Sequence, residues 1–450
     1  MPVDLKVING QVVLPDATHR MGVAIDKGKF VVIGLEEDLP EAKQVIDAKG
    51  LYVLPGLIDG HVHFRDPGYT YKEDFGTGST AAVCAGVATV IDMPNTNPPT
   101  QDEATVKQKL EIGESKSLCD FGIVGVIMGT NVDKVFEMAK AGIVGYKCFL
   151  GETVGNLPSP DDGQFVDALK QIAETGMRIG IHAENRQITT HLVNRLKAQG
   201  RTDPLAHADS RPAYSENEAI ARCIVYARAT GAKVHIYHMA TGEGVLFIRK
   251  GRELGVDITS ETGPHYLLIN NDEWAPKLGS LLKMNPPVRT PRHHELLWDG
   301  LLNGGVDCIA TDHSPHQPEE KLKDNIWEAI AGWPGVETAP PLMFTQVNKG
   351  RLTLNKLVQL YCENPARVWN MWPTKGTIRI GSDGDLTIVD MNKKGVIKAE
   401  KLHSKSKITP FEGWETQGAA VYTIVRGHIQ MKDGEPVGKV IGKPVKPVFL

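Results

Sequence analysis

Gly145-Tyr146-Lys147-Cys148-Phe149 is a five-residue run in which a single lysine stands among apolar and aromatic neighbours. Its length and composition are those of a buried strand, and a polar, glycine-containing stretch follows it. Outward in both directions the same texture recurs. The runs are Val53-Leu54, Ala88-Thr89-Val90-Ile91, Phe121-Gly122-Ile123-Val124, Ile179-Gly180-Ile181, Val234-His235-Ile236, Asp257-Ile258-Thr259 and Cys308-Ile309-Ala310. With the first, these make eight short runs separated by helical stretches. Such alternation predicts parallel strands with crossover helices, and eight units predict a closed (β/α)8 TIM barrel over residues 54–370. A barrel takes roughly 250 residues, so a chain of 450 has material left over.

Both chain ends read differently. Leu5-Lys6-Val7-Ile8 and Gln11-Val12-Val13-Leu14 flank Asn9-Gly10, a strong hairpin signal. Val23-Ala24-Ile25 and Phe30-Val31-Val32-Ile33 flank a second turn, and Asp385–Val389 and Val421–Val425 resemble them in texture. The expectation is a small β-sandwich domain built from residues 1–53 and 371–450, with the barrel inserted between.

Charged residues make up 23% of the chain and the net charge is −4, which argues against nucleic acid or an anionic membrane as main partner. No run approaches the apolar length of a membrane span, and no basic, then apolar leader opens the chain. The six cysteines are widely spaced and contain no CxxC pair, so they read as free thiols of a reducing, cytoplasmic compartment.

The chemistry gathers where the runs end. His61 and His63 alternate in an extended segment and can face one metal. His182 and His238 follow two further runs, while His235 reads as packed or supporting. Asp312, in Ala310-Thr311-Asp312-His313-Ser314-Pro315-His316, could bind metal and move a proton, or merely cap a helix. Lys147 is costly as a buried ammonium. Either it snorkels or pairs with an acid, or it is carboxylated by CO2 and bridges two metals. The ligand-rich setting favours the carbamate. The expected centre holds two divalent ions: His61, His63, Lys147 and Asp312 around one, and Lys147, His182 and His238 around the other. Zinc suits this donor set best. Asp312 is also the expected general acid/base.

These residues, with Pro55-Gly56-Leu57-Ile58-Asp59-Gly60-His61-Val62-His63, resemble the cyclic amidohydrolases: dihydroorotase, dihydropyrimidinase/hydantoinase and allantoinase. His63-Phe64-Arg65-Asp66-Pro67-Gly68 and Met93-Pro94-Asn95-Thr96-Asn97-Pro98 are most similar to dihydroorotases. That resemblance implies Arg65, Asn95, Asn285 and His316 as substrate contacts, with Arg65 clamping a ring carboxylate. Lys147-Cys148-Phe149-Leu150-Gly151-Glu152-Thr153 departs from many bacterial dihydroorotases, and Ser314 is similar to allantoinases.

The leading expectation is therefore reversible hydrolysis of L-dihydroorotate to N-carbamoyl-L-aspartate, a step of pyrimidine biosynthesis. An allantoinase or hydantoinase/dihydropyrimidinase acting on an uncharged ring is the alternative. A non-catalytic assembly subunit is a remote third, since all the ligand positions are filled. The expected partners are a small-molecule substrate and further copies of the chain.

Overall fold

The computed structural model describes residues 1–153, 155 and 157–449. Its centre is a parallel barrel of eight strands: β1 (Leu57–Val62), β2 (Val87–Asp92), β3 (Asp120–Ile127), β4 (Gly145–Phe149), β5 (Arg178–His182), β6 (Lys233–Ile236), β7 (Ile258–Thr262) and β8 (Cys308–Ile309). They are neighbours in sequence order. The ring closes where Val62 bridges His313 and the His63 N–H donates to the His313 carbonyl at 2.8 Å. Helices cover the outer face, and β1 to β5 are buried at every position. This two-sided burial is why these strands read as unbroken apolar runs rather than as alternating ones.

The chain ends form two packed sheets. Lys29–Gly34, Gly22–Asp26, Val3–Ile8 and Ala42–Asp47 make the first. The second joins Gln11–Val13, Thr18–Arg20 and Tyr52–Pro55 to Leu386–Val396, Glu415–Val425, His428–Lys432 and Glu435–Pro436 from the far end. Leu5, Val7, Ile25 and Phe30 share one core with Val53, Ile388 and Ile424. A buried cluster ties this domain to the N-terminal end of the barrel. The Lys375 ammonium lies 2.5, 2.9 and 2.8 Å from Asp120, Asp383 and Asp385, where it takes the place of a cation among three carboxylates.

Two local expectations need correction. Asn9-Gly10 does not close a hairpin, because Val3–Ile8 and Gln11–Val13 lie in different sheets. The pair turns the corner between them: Asn9 has φ 62°, and a Cβ on Gly10 would lie 2.5 Å from Val53 Cγ2. Nor is Val53-Leu54 the first barrel strand. Tyr52–Pro55 pairs antiparallel with Leu386–Val396, and the barrel begins at Leu57. The apolar run is nearly continuous from one to the other, so composition hides a break at Gly56, where an added Cβ would lie 2.6 Å from the Ala88 Cβ. Among the described residues, no helix is long and apolar enough to cross a membrane.

Candidate metal and substrate site

The C-terminal ends of the barrel strands converge on a cavity of about 50 Å³ lined by His63, Arg65, Asn95, Lys147, His182, His238, Asn285 and Asp312 among others. His61 lies just beneath, fully buried. Alternation along β1 turns His61 and His63 to the same side. Asp312 Oδ1 lies 3.2 Å from His61 Nε2 and 3.1 Å from His63 Nε2. These three residues form a group able to hold one metal ion. Across the floor, His182 Nδ1 and His238 Nε2 stand 3.0 Å apart. Lys147 links the two halves, with its Nζ 2.9 Å from His61 Nε2. All six expected ligands thus meet at one place.

Burial explains the electrostatics. Desolvation pushes the His63 pKa down to about 3, and those of His61 and His238 well below the ordinary value. These imidazoles are therefore neutral, with lone pairs available for a metal. Burial would raise the Asp312 pKa, but His61 and His63 beside it hold the carboxyl well below its usual range. Lys147 is buried on the cavity wall and pairs with no acid among the described residues. Its ammonium position lies 4.3 Å from the Tyr237 ring centroid and 3.3 Å from Met93 Sδ, and burial lowers its pKa to about 7. That excludes the snorkelling and ion-pair readings. The donor set of neutral imidazoles, an ionised carboxylate and an amine near neutrality fits divalent metal.

Several supporting residues carried no motif. Glu261, on β7, accepts from His61 Nδ1 at 2.6 Å and lies 3.2 Å from His235 Nε2. Glu184 lies 2.8 Å from His182 Nε2 and pairs with Arg211 at 2.6 Å. Burial alone would raise the Glu184 pKa, but Arg211 and His182 draw it well below the ordinary value. Asp59 accepts from the Thr311 hydroxyl and N–H at 2.5 and 3.1 Å, fastening β1 to the Asp312 segment. Glu261 is a lone acid in its strand with no spacing by which to be recognised, whereas Asp59 lies within the stretch from Pro55 to His63 and Glu184 two residues after His182.

The expected substrate contacts separate. Arg65 lines the cavity with Nε and Nη1 unpartnered, while its Nη2 lies 3.1 Å from His316 Nε2. Asn95 and Asn285 line it too, each with an unpartnered Oδ1. His316 does not line it. It is fully buried behind Arg65, with Lys72 Nζ 3.1 Å from its other nitrogen, so it props the guanidinium instead of facing the cavity. Arg65, His238 and Asp312 have φ of 61°, 37° and 47°, a left-handed backbone that is costly for such side chains.

A parallel barrel whose strand ends present neutral imidazoles, an ionised aspartate and a buried amine defines a metal-dependent barrel hydrolase. The amidohydrolase family model matches residues 52–430, and the chain belongs to that family, as a cyclic amidohydrolase. It is 36% identical to an allantoinase of Bacillus licheniformis over 97% of both chains. It is also 36% identical to the L-hydantoinase of Paenarthrobacter aurescens, over 96% of this chain and 95% of that one. The solved L-hydantoinase (dihydropyrimidinase) from Arthrobacter aurescens superposes with a TM-score of 0.96 at 34% identity, over 99% of this chain and 100% of the other.

Proposed function

We propose that the protein opens the ring amide of a cyclic ureide of the hydantoin or allantoin type. The observation that carries this reading is the pair of unpartnered amide oxygens, Asn95 Oδ1 and Asn285 Oδ1, on the wall of the ligand-bearing cavity. Buried acceptors call for donors, and the ring N–H groups of a cyclic ureide are such donors, whether or not the ring carries a carboxylate. The full-length likeness to an allantoinase and hydantoinases supports the same choice over the dihydroorotase expected from Arg65 and Asn95.

In this reading His61, His63, Lys147 and Asp312 hold one divalent ion and Lys147, His182 and His238 a second. Lys147 would serve as a carbamate formed from its neutral amine and CO2, with loss of a proton, and zinc is the ion the donors suit best. Such ions, when bound, would supply Lewis acidity and lower the pKa of a bound water toward neutrality. Asp312 takes the proton of the attacking water and delivers it to the departing ring nitrogen. Ser314, whose hydroxyl donates to Asp312 Oδ1 at 3.0 Å, steadies that carboxylate. Arg65, Asn95 and Asn285 orient the ring.

One observation favours a second reading. The two unpartnered N–H groups of Arg65 match a carboxylate, which a dihydroorotate-like ring would provide. Turnover of hydantoin, allantoin, dihydrouracil and dihydroorotate, compared with the same metal-loaded preparation, tests the choice. The ureide reading expects kcat/KM to be highest on hydantoin or allantoin. Turnover confined to dihydroorotate would sink it.

A further inference from the structure

Beside the ligand-bearing cavity lies a second, larger space of about 350 Å³. The two share Glu152, Thr153, Asn285 and Ala331, so they adjoin across one wall. The inner space is the smaller of the two, about 50 Å³. An arm on a ring held there can extend toward the larger space across this shared wall.

The chamber has a definite chemistry. Trp327 forms one side, fixed by its Nε1–H donating to the Arg201 carbonyl at 2.6 Å. Lys197 lies over that indole, 5.5 Å from the ring centroid. Lys283 projects from the segment that carries Asn285 and donates to the carbonyls of Ile326 and Ala329 at 2.7 and 2.5 Å, leaving one N–H of its ammonium free. Burial lowers its pKa to about 8, so it still carries charge at neutral pH. Among the described residues neither lysine has a carboxylate partner. Arg211 also borders the space, but Glu184 and Glu152 occupy its guanidinium at 2.6 and 3.3 Å. Two ammonium groups without a carboxylate partner among the described residues therefore face one chamber beside an aromatic wall, and the acid on its lining, Glu152, pairs with Arg211. Such a surface recognises an anion on an organic arm better than a neutral one.

We propose that this chamber is a subsite for an anionic arm on the cyclic amide, a carboxylate on a short chain, and that Lys197 and Lys283 select for it. The inference rests on the ring-amide reading above and adds the class of ring substituent. The test compares two hydantoins on the metal-loaded enzyme, one with a carboxyethyl arm and one with the isosteric, uncharged carbamoylethyl arm. The acid should exceed the amide in kcat/KM by about tenfold or more, the worth of a charge-assisted hydrogen bond. Added salt should narrow that ratio. Lys197→Gln and Lys283→Gln should each lower the acid-to-amide ratio several-fold. Lys197 is exposed, so its variant keeps the test open if the half-buried Lys283 does not tolerate change. Opening of both rings with no preference for the acid, or a ratio indifferent to both substitutions, overturns the subsite and leaves the ring-amide reading standing. Opening of neither, while hydantoin or allantoin itself is opened, overturns the subsite alone; opening of none of these rings overturns both.

Discussion

Glu261 Oε1 stands 2.6 Å from His61 Nδ1, with both side chains fully buried. The His61 N–H must donate to this carboxylate, which fixes the tautomer and turns the Nε2 lone pair toward Lys147 and Asp312. Removing the carboxylate in Glu261→Ala frees the imidazole to rotate and lowers its basicity. Metal affinity should fall by ~10–100-fold, the usual loss when such a supporting group is removed. Metal content per chain, measured against a competing chelator, reads this directly. Retention equal to the native protein's would show that His61 does not depend on Glu261.

Asp312→Asn should keep the fold and lose turnover by about 10²–10⁴-fold, the contribution of a positioned proton-transfer group. The asparagine still fills the space between His61 and His63 but cannot accept the proton. Single-turnover rates at saturating substrate are the measurement. A rate within a few-fold of native would remove Asp312 from proton transfer.

Gly180 on β5 tests the packing beneath the site. A Cβ there would lie 1.9 Å from Tyr237 Cε2, and Tyr237 is itself stacked on Trp369 at 5.6 Å. The ring has no room to retreat. Gly180→Ala should cost ~1–3 kcal/mol, the range for overpacking a close-packed interior. A thermal midpoint equal to the native one would show that the tyrosine moves freely.

The barrel was legible because each buried strand is a short apolar run, and the candidate ligands were legible because they lie in or just after those runs. His61 and His63 add a spacing of two that only an extended segment turns into one face. Other features left no pattern. Glu261 is one acid in Ile258–Thr262, and its partner His61 is 200 residues away. Asn9-Gly10 has the composition of a hairpin turn, yet tertiary packing against Val53 uses it at a corner between sheets. His316 lies near Arg65 as its motif suggests, but on the side away from the cavity. Substrate choice was the least legible, because Arg65 and Asn95 could serve a charged or an uncharged ring alike.

Arg65 decides between the two substrate readings. Its Nε and Nη1 are buried and unpartnered, while Nη2 is held at 3.1 Å from His316. A ureide carbonyl at that position would gain one charged hydrogen bond, worth about 1.5–3 kcal/mol. Arg65→Met should then lower kcat/KM on hydantoin or allantoin by roughly one to two decades, at 1.36 kcal/mol per decade. A ring carboxylate there would be a buried ion pair, and stranding it costs roughly 3–5 kcal/mol. The same substitution should then lower kcat/KM on dihydroorotate by about two to four decades. Metal content should stay the same in both cases, because Arg65 is not among the expected ligands. The measurement is the ratio of losses on charged and uncharged rings in one variant. A larger loss on dihydroorotate shows that the guanidinium can clamp a carboxylate. Equal losses on every ring would mean that Arg65 only shapes the cavity, and substrate choice would have to be sought elsewhere on its wall.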